Sequence, residues 1–146
     1  MFKSTLTGDY VHYYSKDEAI DKESPDFDHA KWMETDNMDH LPVKDGCTLT
    51  KFTIKRLGPF DHQYLFDIGG TDGPSSMVTW AVALGIRSIE PLKVDGKDAE
   101  LGTQIRNGRS VLSDEWLAWI MAIDDGDLAK EIGTRVIGGN ASSPRD

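Results

Sequence analysis

Four histidines, one cysteine and a surplus of carboxylates are the side chains here best suited to chemistry, and their spacing decides what they could form. His12, His29, His40 and His62 contain no pair spaced as in HExxH, and Cys47 alone cannot build a thiolate cage, so a structural zinc site is not expected. His29 with Asp26 or Asp28, and His40 with Asp36 and Asp39, could meet a divalent ion at the surface, although solvated polar residues explain them as well. The nearest approach to a calcium loop is Asp124, Asp125, Gly126 and Asp127, which lacks the DxDxDG spacing and reads as a turn with a helix cap. Gly69 to Ser76 (GGTDGPSS) is glycine-rich and opens a helix, so its amides could face an anion, yet it has neither the lysine of a P-loop nor a dinucleotide fingerprint. A flexible turn with a serine cap is the simpler reading. No GxSxG elbow is present, Cys47 has no activating neighbour in sequence, and the carboxylates are too many to single out a catalytic pair. The expectation is a non-enzymatic chain with no catalytic residue, no cofactor and no metal.

Aromatic residues carry the remaining functional signal. Trp80, Trp116 and Trp119 lie in apolar helical patterns and read as core. Tyr10, Tyr13, Tyr14, Phe27 and Trp32 lie in the less hydrophobic first third, where exposed aromatics would mark a protein contact surface.

The elements that must position these residues are legible in part. Asp9 to Ser15 (DYVHYYS) suits a short strand, and Ser24 with Pro25 opens a helix expected to run to about Thr35. Asp45 and Gly46 make a turn, and Thr48 to Leu57 alternates Phe52 and Ile54 against Lys51, Thr53 and Lys55, the pattern of a half-buried strand. Leu41 to Val43 is its expected hairpin partner, at a sheet edge because of Pro42. Pro59 starts a helix through FDHQYLFDI, Gly69 to Pro74 forms a loop, and MVTWAVALGI is an apolar helix at the centre of the core. Arg87 to Val94 is extended, Asp95 and Gly96 turn, and Gly96 to Arg109 is read as a long surface loop. Ser113 caps a helix whose buried face is Trp116, Leu117, Trp119, Ile120 and Ile123, and a last helix runs from Asp127 to Ile137 with Leu128, Ile132 and Val136 at i, i+4, i+8.

These elements give an α+β fold, a small sheet or hairpin packed against three to four helices, with an extended N-terminal segment. The expected organisation is an acidic, aromatic contact arm at 1–40, a globule at 41–137 and a polar tail at 138–146. At 146 residues one core suffices, burying roughly 70% of the surface an unfolded chain exposes. The net charge of −9, from 25 acids against 16 bases, argues against direct binding of nucleic acid or anionic lipid. Ten of the acids and four lysines fall in residues 1–40, which suits either a solvated face or a basic partner. A single cysteine and an N-terminus without an apolar run are those of a cytosolic protein, and no apolar stretch is long enough for a membrane span.

The order of segments, with HLPVKDGCTLTKFTIKRL followed by a short helix, an apolar helix, LSDEWLAWI and DLAKEIGTRVI, resembles small morphogenesis proteins of tailed double-stranded DNA bacteriophages. The resemblance covers residues 39 to 137 and is one of layout. It implies a virion structural protein assembled in the host cytoplasm, a capsid cement protein in the first instance and a tail assembly chaperone or neck or tail component in the second. The implied partner is the major capsid protein or another virion protein, with self-association as a further option. No catalytic residues are carried across.

Overall fold

Phe52 and Ile54, two apolar side chains at alternate positions, place one face of strand Lys51–Ile54 (β2) in the core and make it the middle strand of the main sheet. The computed structural model describes residues 9–25, 27 and 41–141. Tyr10–Tyr13 (β1) pairs antiparallel with β2 on one side and Ile86–Glu90 (β3) pairs antiparallel on the other. The register sets His12 opposite Phe52 and Phe52 opposite Ile89, and it shifts after Thr53, so that Ile54 faces Ile86. Leu41 to Val43 is not the hairpin partner of β2. Val43 instead forms an isolated bridge with Ile20, because β1 and β3 already occupy both edges of β2.

Four α-helices are present among the described residues: Pro59–Asp72 (α1), Pro74–Gly85 (α2), Asp114–Ala122 (α3) and Asp127–Ala141 (α4). With three small antiparallel sheets they make an α+β fold, as the sequence pattern implies. Helix α1 continues through Gly69 and Gly70, where a loop was expected. The cost of two helical glycines is ~1 kcal/mol each, and packing on α2, where Gly69 lies against Met77, offsets it. The chain breaks only at Gly73, whose φ of 97° no other residue adopts easily, and Pro74 then opens α2 at its first position. Helix α4 likewise runs four residues past the expected end at Ile137.

Gly96 to Arg109 is not a loop. Lys93–Val94 (β4) and Lys97–Asp98 (β5) form one hairpin, and Thr103–Arg106 (β6) and Arg109–Leu112 (β7) form a second. Their two-residue turns, Asp95-Gly96 and Asn107-Gly108, have positive φ at both positions, the geometry that matches strand twist in a tight hairpin. Arg109 clasps the second hairpin to α1: its Nε lies 2.9 Å from Asp61 Oδ1 and its guanidinium 3.7 Å from the Tyr64 ring centroid.

The core is largely built where α2 meets α4. Ala81, Val82 and Leu84 of α2 are buried with Leu128, Ile132 and Val136 of α4, whose i, i+4, i+8 spacing forms one stripe. Two glycines let the helices approach: a Cβ on Gly85 would collide with Val136, and one on Gly133 would lie 2.8 Å from Val78 Cγ1. Gly85→Ala is therefore expected to destabilise the fold by ~1–3 kcal/mol through overpacking, read as a lower urea midpoint. Gly85 ends its helix, so the gain in helix propensity is small.

Residues 9–20 belong to this folded unit. Tyr14, Ala19 and Ile20 are buried and β1 is a strand of the main sheet, so these residues do not form an arm beside a globule that starts at residue 41. The helix expected from Pro25 to Thr35 falls outside the described residues, except that Pro25 lies in a turn and Phe27 is non-helical.

Candidate functional site

Period-two alternation along β1 sends Tyr10 and His12, and Tyr14 just beyond, to one side, with Val11 and Tyr13 on the other. The tyrosines therefore do not form one exposed surface. On the inner side they meet α4, where Asp127, Glu131 and Arg135 recur every four residues. Two residues of strand advance about 6.7 Å and four of helix about 6 Å, so the two repeats stay in step. The Tyr10 hydroxyl donates to the Arg135 carbonyl at 3.1 Å, His12 Nε2 lies 2.7 Å from Glu131 Oε2, and Lys16 Nζ lies 2.6 Å from Asp127 Oδ2. The Ser15 amide also donates to Glu131, and the Tyr14 hydroxyl donates to Asp124 Oδ2 at 2.7 Å, in the turn before α4.

His12 is 5% exposed, and its Nδ1 is buried with no hydrogen-bond partner among the described residues. With Glu131 ionised, Nε2 carries the proton and donates, leaving Nδ1 a bare acceptor in the neutral ring. This seam ties a strand to a helix.

Its charges set a pH dependence. Burial pulls the Glu131 carboxyl upward, but hydrogen bonds from His12 and Ser15 outweigh it and hold the group below the ordinary 4.5. Burial, then the hydrogen bond to Asp124, pushes the Tyr14 phenol above its ordinary 10.0, and the Asp124, Asp127 and Glu131 charges add to this. The hydrogen bond to Asp127 raises Lys16 as well. The Glu131 contribution to stability is complete above 4.5 and is lost as pH falls through its lower folded value. Those of Tyr14 and Lys16 are complete below about 10 and are lost as pH rises through their raised values. Melting temperature followed by circular dichroism should fall on the acid side as Glu131 takes up its proton below about pH 4.5, and on the alkaline side as Tyr14 and Lys16 lose theirs above about pH 10.

Beside the seam lies a cleft of about 500 Å³. Phe52, Ile89, Leu92 and Leu128 form its apolar floor. Trp119 stands at its edge, 46% exposed, with its ring set edge-on to Trp116 at 5.5 Å. Trp119 was expected in the core, but α3 has nine residues and only Ile120 of its apolar face is fully buried. Tyr14 lines the cleft while itself only 7% exposed, so it supports the surface more than it presents one. Tyr10 and Tyr13 are half-buried, and Phe27 is half-buried in the turn after Ser24. Trp32 lies outside the described residues, as do His29, His40 and the carboxylates beside them.

Five further large apolar side chains are exposed among the described residues, Phe60 at 86% and Ile105 at 74% foremost, then Phe66, Val94 and Val43. Among the described residues no group of three or more histidines, cysteines, aspartates and glutamates is placed to hold a metal, and no helix is long and apolar enough to cross a membrane. Ser76 at the start of α2, from the glycine-rich GGTDGPSS stretch, lines a separate cleft of about 230 Å³ that also includes Asp72 and Arg106. Its two charged residues, Asp72 and Arg106, are of opposite sign, so the lining carries no net preference for an anion.

Sequence reasoning missed the cleft because its walls come from every part of the chain, from Tyr14 to Leu128. The one local signal was Trp119 itself, a large apolar residue on a helix too short to bury every aromatic it carries. Compared with known proteins, this chain matches no family model, no curated protein and no solved structure.

Proposed function

We propose that this chain is a non-enzymatic structural protein of a tailed phage particle, a capsid-associated cement protein acting through protein–protein contacts. The phage assignment rests on the layout of residues 39 to 137. The observation that carries the mode of action is Trp119, half exposed at the rim of an apolar-floored cleft. A tryptophan with a water-excluding floor beside it has the make-up of an interface hot spot, since such rings bury a large area at little entropic cost. The acidic surface favours a partner with basic residues and disfavours nucleic acid.

Mass spectrometry of purified particles tests the assignment: a cement protein is found there in many copies. Absence from particles together with binding to a tail protein before maturation would replace it with a tail assembly chaperone. Trp119→Ala is the right probe of the contact surface. Deleting residues 1–36 would remove β1 and the buried Tyr14 and unravel the sheet, so lost binding would report lost fold.

A further inference from the structure

Charge in the Trp119 cleft is unbalanced in a way that selects an occupant. Its two lysines are already neutralised from outside: Lys16 by Asp127 at 2.6 Å and Lys93, more loosely, by Asp98 at 3.7 Å. Of its three carboxylates, Asp17 accepts from the Ala19 and Thr50 amides, and Asp124 accepts from the Tyr14 hydroxyl. Those donors are neutral, so they satisfy the oxygens without cancelling the charge. Glu18, the third, is exposed. Of the three, Asp124 is the one that acts on Tyr14, whose phenol its hydrogen bond and charge help to keep protonated. A negative rim above an apolar floor selects against acidic and purely polar ligands. The volume, about 500 Å³, falls within the ~300–1,000 Å³ of ordinary ligand pockets and accommodates a few side chains.

We propose that the cleft binds a cationic amphipathic peptide segment of a partner protein. An apolar side chain sits on Phe52, Ile89 and Leu128 beside Trp119, and flanking lysines or arginines face Asp17, Glu18 and Asp124. This assignment rests on the protein-contact reading above and names the chemistry of the partner.

The test is a fluorescence-anisotropy titration of the intact chain with a labelled twelve-residue peptide of leucine, tryptophan and lysine, and with its counterpart carrying glutamate for lysine. The basic peptide should bind and the acidic one should not. Glu18→Gln combined with Asp124→Asn should weaken binding about tenfold, as two part-exposed charges worth somewhat under 1 kcal/mol each would. Asparagine keeps an oxygen for the Tyr14 hydroxyl and tolerates the φ of 50° at position 124, so the fold is retained. Raising salt from about 50 to about 500 mM should weaken binding similarly. Asp67→Asn, exposed on α1, a helix that contributes no residue to the cleft, should change nothing.

Equal binding of the acidic peptide, or an affinity unchanged by the double neutralisation, overturns the proposal. So does a dimer seen by light scattering that Trp119→Ala converts to monomer, since the occupant is then a second copy. Particle composition reads the virion assignment separately: a chain abundant in particles that ignores the basic peptide keeps that assignment and loses this one.

Discussion

Replacing Ile132 with alanine should cost ~3–5 kcal/mol, the upper part of the range for truncating a buried isoleucine. Ile132 is fully buried on α4, with Leu128 and Val136 one turn to either side and α2 opposite. The size of the loss depends on whether the walls can collapse into the space. Here they are held apart and held close at once, because Gly85 lies against Val136 and Gly133 against Val78, so neither helix can shift inward without a clash. The cavity stays open. Against a total stability of ~5–15 kcal/mol, such a loss lowers the melting temperature by ~10 °C. Urea denaturation should show a lower midpoint with an unchanged slope. Ile105→Ala is the matched control: at 74% exposure it should change stability by no more than ~0.5 kcal/mol.

Glu131→Ala is expected to cost ~2–4 kcal/mol, more than a surface carboxylate would, because it strands buried donors. The Ser15 amide and the His12 Nε2–H both lose their acceptor, and His12 already holds an unpartnered Nδ1. An imidazole 5% exposed is then buried with neither nitrogen satisfied. Glu131→Gln separates hydrogen bonding from charge. Its amide oxygen still accepts from one of the two donors, so the loss should fall to roughly 1 kcal/mol, and the acid limb of the pH profile due to Glu131 should vanish. Thermal melts of the two variants from pH 3 to 7 read both effects. A Glu131→Gln melt that keeps the full acid limb would place that limb on other carboxylates.

Much of the fold was legible because local chemistry and tertiary context agree over it. Phe52 and Ile54 alternate in a strand that is buried on one face, Pro59 opens a helix, and Leu128, Ile132 and Val136 make a stripe that packs. Asn107-Gly108 was also legible in principle as a tight hairpin turn. The polar run around it masks the strands, since β6 is short and largely solvent-facing and β7 buries only Val111 and Leu112 at its end. Gly69 and Gly70 mislead for a different reason. Their low helix propensity is a local term of about 1 kcal/mol each, and docking of α1 on α2 overrides it.

The candidate site was legible only as a composition. Acidity and tyrosines near one end are properties of the sequence, and they hold whatever the fold. Which of those tyrosines face inward depends on β1 being a strand in a defined register, because a shift of one residue exchanges its two faces. That register buries Tyr14, leaves Tyr13 on the opposite face, and carries His12 to Glu131, a partner 119 positions away.

The sequence by itself determined the fold class, the acidic charge and the positions of most helices, because these follow from local periodicity and from charge counts. Tertiary structure alone decided that Tyr14 is buried in the core with Tyr10 packed against it, that Trp119 stands at the surface, and that three carboxylates line a cleft with an apolar floor. Burial and net field are sums over neighbours brought together from distant parts of the chain, and no window of sequence contains those neighbours.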